Sequence, residues 1–364
     1  MKAECSKEKL KDGLLVADRI TGKNLSLPIL SYIYLQAIKN KIIIRSTNLD
    51  IGVEIVIPAK VIHDGVVVVP GSLIISILSN SNHEVVTLEE VNGNVTITTP
   101  NLNTIIKSIP SDDYPNLPKN DVGEKFTINT SCITSGIQSV VFSAALSDIK
   151  PEISSVYIYS NNSDLIFVST DGFRLAEKKF PLKLNNEFKA IIPYKNALEI
   201  ARILDGNDNE SVILLSPSLI SIQNGVYTIT SRLIDGVYPD YPQLIPSSFS
   251  TTARVPRQDL VNTLRLAHIF CDRTNQIQLT LQITDSVFMI HSQNTEKGEY
   301  SSSIQTILDG EDLQMNINVR YLVDVLPLFH RPTVFIGCNG RSKPLLSRDD
   351  GDNSFLYIVM PMNR

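Results

Sequence analysis

Apolar runs of strand length, joined by short polar turns, recur three times along the chain at nearly constant spacing. One such turn falls at Asn40, a second at Asn162 and a third at Asp285, so 122 and then 123 residues separate them. This unit is far longer than the repeat of a solenoid protein. The spacing therefore predicts three tandem copies of one domain rather than a stack of small repeats.

Each copy also contains an Asn-Gly pair between residues typical of β-strands. Asn-Gly supplies the two positive φ angles of a type I′ hairpin turn, so each pair predicts such a turn. A helical stretch opens before each pair, near Pro70, Pro193 and Asn318 in turn. The three pairs are Asn92-Gly93, Asn224-Gly225 and Asn339-Gly340.

The start of each copy is predicted to be a helix. In the third copy Pro256 fits the first helical position, and Arg257 and Arg265 fall opposite an apolar face. The first copy shows a similar apolar face among lysines and an arginine, whereas residues 131–145 of the second copy carry no basic residue. The apolar positions are Leu260, Val261, Leu264 and Ala267 in the third copy and Leu10, Leu14, Leu15 and Ala17 in the first.

Strand pairs are predicted to follow each opening helix. The clearest alternation runs from Ile277 to Ile283, with polar residues at every second position, so one face of that sheet is buried. In the second helix of the middle copy, Lys195 and Glu199 are spaced for an i,i+4 ion pair. The pattern predicts an α+β fold built from three copies of a domain of helices and antiparallel sheet.

Proline-rich stretches at residues 110–120 and 239–250 are predicted to be the linkers, because they combine turn-forming residues and precede the next opening helix. They place the three domains at residues 1–118, 119–247 and 248–364. A chain of 364 residues is compatible with this number of domains.

Composition describes an ordinary globular chain, with 43% hydrophobic and 20% charged residues. No apolar run is long enough to span a bilayer, and residues 1–13 contain no stretch of signal-peptide length, so we expect a cytoplasmic protein. The net charge is −5, from 33 basic and 38 acidic residues. The basic residues can nevertheless cluster on one face of the protein. Four widely spaced cysteines predict neither a zinc site nor a disulfide framework.

Motifs of catalysis are missing from the sequence. There is no phosphate-binding glycine loop and no Gly-x-Ser-x-Gly elbow, and the five histidines lack the spacing of metal ligands. We therefore expect no catalytic residue, no metal and no cofactor.

Four segments make the chain recognisable. The sharpest is STDGFRLA at residues 169–176, and the others are LIDGVYPDY at 233–241, NVRYLVDVL at 318–326 and YIVMPM at 357–362. Together with LPIL at 27–30 and VPG at 69–71, they resemble the bacterial replicative sliding clamps, the β subunits of DNA polymerase III. The resemblance covers essentially the whole chain, in order.

The resemblance implies a DNA clamp fold that acts as a head-to-tail homodimer. Three domains from each subunit would form a closed ring, with helices lining the opening and sheets outside, around duplex DNA of any sequence. Such a ring tethers the replicative polymerase to its template without catalysing a reaction, and a separate clamp loader opens it. Polymerases and repair proteins dock on it through short apolar peptides.

The resemblance also implies three groups of site residues. DNA-facing candidates are Lys23, Arg202, Arg257 and Arg265, and dimer-seam candidates are Ile74 and Ile77 against Ile269 and Phe270. The peptide-binding pocket would comprise Ile153, Thr170, Gly172, Phe173, Arg174, Leu175, Pro239, Leu244, Asn318, Tyr321, Pro344, Ile358, Val359, Met360 and Met362.

Three departures from the family pattern bear on these sites. Phe173 stands where histidine is common, Ser72-Leu73 fall where basic residues are frequent, and the chain ends Asn363-Arg364 instead of arginine plus an apolar residue.

Other interpretations stay open at the level of the sequence. The arginines could lie on solvated helix faces, and the seam and methionine residues could simply pack in a core. Two other classes of protein also compete, namely a β-rich recognition or structural array and an enzyme on a triplicated scaffold. The missing signal peptide weakens the first, and the lack of convergent polar residues weakens the second.

Overall fold

The computed structural model describes residues 1–22, 27–118, 120, 122–147 and 149–362. It divides into two compact units. The first combines Met1–Thr134 with Leu198–Asp235, and the second combines Ser135–Ala197 with Gly236–Arg364. Both units are built from antiparallel sheet and a few helices, in agreement with the predicted α+β class.

The α-helices are short to medium in length, and four further segments form single 3₁₀ turns. The helices are α1 (Lys7–Ile20), α2 (Gly71–Ser79), α3 (Thr130–Val140), α4 (Tyr194–Leu204), α5 (Arg257–Ile269) and α6 (Val319–Val325). The 3₁₀ segments are Pro28–Ser31, Val141–Ser143, Pro242–Leu244 and Leu326–Leu328. Within the described residues, no helix has both the length and the apolar character needed to cross a membrane.

Strands make up most of the remaining structure. In chain order they are β1 (Lys2–Ser6), β2 (Ile33–Ile38), β3 (Lys41–Thr47), β4 (Ile51–His63), β5 (Gly65–Val69), β6 (Val85–Val91), β7 (Asn94–Thr99), β8 (Leu102–Lys107), β9 (Glu124–Asn129), β10 (Ser155–Ser160), β11 (Asp164–Thr170), β12 (Arg174–Pro181), β13 (Lys189–Pro193), β14 (Glu210–Leu215), β15 (Leu219–Asn224), β16 (Tyr227–Arg232), β17 (Thr251–Pro256), β18 (Gln276–Gln282), β19 (Val287–Asn294), β20 (Gly298–Gln305), β21 (Ile307–Gly310), β22 (Leu313–Asn318), β23 (Thr333–Cys338), β24 (Leu345–Asp349) and β25 (Phe355–Val359).

The first unit contains one twelve-stranded sheet. Its main path runs β8-β7-β6-β1-β4-β16-β15-β14-β9. Off this path, β3 pairs with β4, β2 with β3, and β5 with β2. Helix α1 packs on this sheet through Leu10, Leu14 and Ala17, which are fully buried. Gly13 allows the close approach, because a Cβ there would lie 2.6 Å from the Cδ1 atom of Ile44.

The second unit contains two sheets. Nine strands follow the order β13-β10-β11-β12-β25-β24-β23-β17-β21, and four follow the order β20-β19-β18-β22. On β18 the alternation read from the sequence is confirmed, because Ile277, Leu279 and Leu281 are buried whereas Gln278 is partly exposed. Helix α5 buries the predicted face of Leu260, Val261, Leu264 and Ala267.

The three Asn-Gly pairs, each predicted to form a type I′ turn, have different backbone angles. Asn92 and Gly93 have φ angles of 51° and 73°, so this Asn-Gly pair does form the predicted turn between β6 and β7. At Asn224-Gly225 a hairpin turn does join β15 to β16, but it is not of the predicted type, since within the pair only Gly225 has a positive φ and Asn224 ends β15. The Asn224 amide is buried and donates to the Thr130 hydroxyl at 2.9 Å. At Asn339-Gly340, likewise, only Gly340 has a positive φ.

Three details of the helices differ from the predictions. Pro256 is the residue before α5 rather than its first residue. Leu15 does not belong to the apolar face of α1, because 44% of it is exposed. Glu199 forms its ion pair with Arg202, three residues on, in place of the predicted partner Lys195.

Candidate functional site

The turn between β11 and β12 carries Gly172 and Phe173 of the sequence-predicted pocket. The Asp171 carboxylate accepts hydrogen bonds from the backbone N–H groups of Phe173 and Arg174, both at 2.9 Å. The Thr170 hydroxyl donates to the Arg174 carbonyl at 2.6 Å and accepts from the Gly172 N–H at 3.0 Å. Gly172 has φ +88°, a conformation that residues with a side chain rarely adopt. Phe173 is therefore presented at a fixed position, with 63% of its surface exposed.

The Arg174 side chain is held between two carboxylates and two aromatic rings. Its guanidinium contacts Asp171 Oδ2 at 3.0 Å and Asp324 Oδ2 at 2.7 Å. It also lies 4.7 Å from the centre of the Tyr321 ring and 5.6 Å from that of Phe142. Burial alone would lower the pKa of Arg174, but the neighbouring Tyr357, Asp324 and Asp171 outweigh it and raise the pKa. The guanidinium therefore stays charged and fixed.

The C-terminal strand β25 runs beside this turn. In the register of β12 with β25, Arg174 faces Val359 and Leu175 faces Ile358. One residue past the strand, the Met360 N–H donates to the Phe173 carbonyl at 2.8 Å. This bond joins the end of the chain to the turn that carries Phe173.

Helix α6 supplies the aromatic neighbour of Arg174. The Asn318 side chain caps the helix by accepting from the Arg320 N–H at 3.0 Å, which fixes the helix start. The Tyr357 hydroxyl donates to the Tyr321 carbonyl at 2.9 Å and so ties α6 to β25. Burial raises the pKa of both tyrosines above its usual value.

A second group of tyrosines anchors the segment that follows β16. Tyr238 stacks on Tyr157 with ring centres 4.8 Å apart, and Tyr241 bonds to the buried carboxylate of Glu177 on β12. Burial raises the pKa of Tyr157 to about 12 and that of Tyr241 further still. The anchored segment carries Pro239 and Leu244, which are both exposed. The sequence prediction did not include these tyrosines, although the Tyr-Pro-Asp-Tyr-Pro motif was a visible signal.

All fifteen pocket residues lie in the second unit, but they differ in exposure. Four are exposed and could touch a ligand directly, namely Gly172, Phe173, Pro239 and Leu244. Seven are partly exposed: Ile153, Arg174, Asn318, Tyr321, Pro344, Met360 and Met362. Thr170, Leu175, Ile358 and Val359 are buried at 8%, 3%, 3% and 0% exposure, so they support the site from within rather than line it.

The hydrogen bonds and ring contacts bring part of this set together. They join Thr170 to Arg174 and Gly172, Arg174 to Tyr321, and Phe173 to Met360. Pro344 directly precedes Leu345, which pairs with Val359. The Ile153 carbonyl accepts a hydrogen bond from the Ala145 N–H at 3.0 Å, and Ala145 is not one of the predicted pocket residues.

The DNA-facing candidates differ in exposure and in bonding partners. Lys23 lies outside the described residues. Arg202 is ion-paired to Glu199 at 2.7 Å, and Arg257 is only partly exposed and donates to the Leu326 carbonyl at 3.5 Å. Arg265 is exposed on the polar side of α5 and is the candidate best placed to meet a polyanion.

The candidates for the dimer seam differ in how much of each side chain is exposed. Ile74 is fully buried inside the first unit and offers no exposed surface in the single chain. Ile77 is partly exposed and Ile269 is 55% exposed. Phe270 is partly exposed and stacks on Tyr300, with ring centres 5.9 Å apart.

Known proteins are similar to this chain over nearly its whole length. Three family models match in order: the N-terminal domain of the DNA polymerase III beta subunit over residues 1–118, the central domain over 127–240 and the C-terminal domain over 242–363.

Curated relatives and solved structures match along nearly all of their length. Proteins named beta sliding clamp are 25% identical in Synechocystis sp. and 26% identical in Pseudomonas aeruginosa, covering 100% and 98% of this chain and 99% and 98% of theirs. The fold is similar to the crystal structures of the DNA polymerase III subunit beta from Pseudomonas aeruginosa and the DNA polymerase sliding clamp from Bacillus subtilis. Each has a TM-score of 0.95 and 23% identity and covers 100% of this chain, with 100% and 99% of those chains covered. The chain belongs to the DNA polymerase III beta subunit family, the bacterial sliding clamps.

Proposed function

We propose that two copies of this chain associate head to tail into a closed ring around duplex DNA and tether the replicative polymerase to its template. The observation that carries the proposal is the match of all three clamp domains, in order and over nearly the whole chain. The protein is a processivity subunit and catalyses no reaction of its own. Because bacterial chromosomes are replicated in the cytoplasm, we propose that the protein works there.

The chemistry of the helices supports this function. Helix α5 buries an apolar face against its own unit and leaves Arg265 in solvent. Contacts between arginine and phosphate position a protein on DNA but carry no sequence information. A ring that reads only phosphates can slide, whereas a base-specific contact of about 1 to 3 kcal/mol would hold it at one site.

We propose that the ring is built from domains bounded at residues 1–118, 119–247 and 248–364. The seam would join the first domain of one copy to the third domain of the other. Ile77 on one side and Ile269 with Phe270 on the other remain the candidates, because each keeps exposed surface that a partner could cover.

The surface around Phe173 is proposed to dock partner proteins through short apolar peptides. An exposed aromatic side chain on a turn that is bonded to the backbone of Met360 is suited to this task, because methionine adapts to differently shaped partners and apolar contact provides most of the affinity. The expected partners are the replicative polymerase subunit, the clamp loader and other proteins that carry a clamp-binding peptide.

Equilibrium sedimentation over a dilution series tests the ring. The proposal expects a dimer that dissociates only on dilution, and an Ile269→Glu variant should dissociate at higher concentration because a charge is buried at the seam. The control is Leu266→Glu, which changes another exposed apolar residue on the same helix. A protein that is monomeric at every concentration would contradict the proposal.

A further inference from the structure

A polar cavity of about 390 Å³ lies next to the proposed peptide pocket. We call it the acid cavity, and its walls include Gln278, Gln314, Asn316, Arg341, Ser342 and Met362. Its volume is near the lower end of the roughly 300 to 1,000 Å³ that ligand pockets occupy, so it suits one polar side chain better than a whole peptide.

Two neighbouring strands supply the amide groups of the acid cavity. In the register of β18 with β22, Gln278 faces Asn316 and Thr280 faces Gln314. Leu279 and Met315, the intervening residues on these strands, are buried, so the amides belong to the outward face of the sheet. Side-chain amides on this face can donate hydrogen bonds to an anion.

Arg341 gives the cavity its charge. The residue is exposed, and none of the ion pairs formed among the described residues involves it. No aspartate or glutamate belongs to the described lining of the cavity. A guanidinium beside amides and a hydroxyl forms a set of donors that favours a carboxylate, which can accept two parallel bonds from arginine.

The acid cavity and the proposed pocket share one residue, Met362. Met362 lines the cavity, and its N–H donates to the Asn316 carbonyl at 2.8 Å. Two residues earlier, the Met360 N–H is bonded to the Phe173 carbonyl. A peptide whose apolar residues lie against Met360 and Phe173 would therefore have its flanking residue close to Arg341.

We propose that the acid cavity binds the carboxylate of an aspartate or glutamate that flanks the apolar anchor of a docked peptide. This inference rests on the proposed peptide pocket and adds a charge preference to it. Arg174 does not serve this purpose, because Asp171 and Asp324 already neutralise it. Arg341 has no such partner among the described residues and is the group that selects the acid.

Three fluorescent peptides with one apolar anchor test the preference on the full-length protein. The first has aspartate before the anchor, the second has aspartate after it, and the third has asparagine at both positions. One aspartate peptide should bind about fivefold tighter than the neutral peptide, since partly exposed ion pairs are weak. The advantage should shrink between about 50 and about 500 mM salt, because salt screens exposed charges.

Two matched variants identify the residue responsible. Arg341→Gln should abolish the advantage of aspartate and leave binding of the neutral peptide unchanged. Lys343→Gln, which removes a nearby exposed charge that does not line the cavity, should retain the advantage. Both substitutions are at exposed positions, so equal thermal unfolding of the three proteins confirms that folding is preserved.

The outcomes separate this inference from the proposed pocket. Equal affinity for all three peptides, or an advantage that persists in Arg341→Gln, overturns the acid cavity and leaves the pocket intact. Failure of the neutral peptide to bind at all removes the pocket itself and this inference with it.

Discussion

The hydroxyl of Tyr241 donates a hydrogen bond of 2.5 Å to Oε2 of Glu177, a residue that is only 2% exposed. Tyr159 completes the arrangement, with its hydroxyl 2.7 Å from that of Tyr241. Because Glu177 lies on β12, three residues after Arg174, the bond fixes the segment carrying Leu244 to the strand that begins at the Phe173 turn. A buried carboxylate thus holds two parts of the proposed pocket in one position.

Loss of the Tyr241 hydroxyl should destabilise the protein and weaken peptide docking together. In Tyr241→Phe the buried Glu177 carboxylate loses a donor, and we expect the free energy of unfolding to fall by about 1 to 3 kcal/mol. Urea unfolding measures this loss. Tyr227→Phe, at a partly exposed position, is the control and should change stability by less than about 0.5 kcal/mol. Equal stability of the two variants would contradict the role given to Glu177.

Phe173 should matter for binding and not for stability. Its ring is 63% exposed, so Phe173→Ala should change the free energy of unfolding by less than about 0.5 kcal/mol. Loss of an aromatic contact should weaken an apolar peptide by about tenfold, in line with the cost of removing a contact residue at the centre of an interface. Fluorescence anisotropy with a labelled peptide measures the affinity. Unchanged affinity in this variant would place the docking surface elsewhere.

Buried thiols should make stability fall in alkaline solution. Burial raises the pKa of Cys5 from 9.0 to about 12, and that of Cys338 from 9.0 to about 12. Above pH 9 the unfolded chain ionises these thiols while the folded chain keeps them protonated, so their contribution is complete below pH 9 and is lost as the pH rises toward 12.

Each thiol then adds a slope of at most about 1.4 kcal/mol per pH unit to the loss of unfolding free energy. Cys5→Ala should reduce that slope, as urea unfolding at a series of alkaline pH values would reveal. Cys132→Ala is the control, because Cys132 is only partly buried and its pKa is raised less. An identical slope in native protein and Cys5→Ala would refute the assignment.

Arg265 should contribute to DNA binding through its charge alone. Removal of one phosphate contact in Arg265→Ala should reduce the slope of log affinity against log salt concentration by about 0.9. Arg265→Lys keeps the charge and should retain the slope. Affinity for nicked circular DNA, measured over a range of salt concentrations, decides between the variants. A slope that is unchanged in Arg265→Ala would remove Arg265 from the DNA-facing surface.

The spacing of apolar residues predicted which faces of individual helices and strands are buried, because that spacing involves only residues close in sequence. The spacing of Leu260, Leu264 and Ala267 identified the buried face of α5, and alternation identified the buried face of β18. Leu15 was misassigned because an apolar residue adjacent to a helical face cannot be separated from it by spacing alone. The structure shows Leu15 to be 44% exposed.

Contacts between distant residues could not be read from the sequence. Tyr241 and Glu177 are 64 residues apart, and no local pattern links them. In the proposed pocket, Leu175 on β12 pairs with Ile358 on β25, and both residues are buried although they are far apart in sequence. Asn224 illustrates this limit, because it ends β15 with its amide bonded to Thr130 and the hairpin turn begins one residue later, at Gly225.

The most direct test of the proposed ring is topological. The protein, loaded onto nicked circular DNA by a clamp loader, should remain bound during gel filtration and should be lost when one restriction cut makes the DNA linear. The nick and the sequence are the same in both forms, so only the free ends differ. Equal retention on circular and linear DNA would contradict encirclement and would show that the protein holds DNA by surface contact.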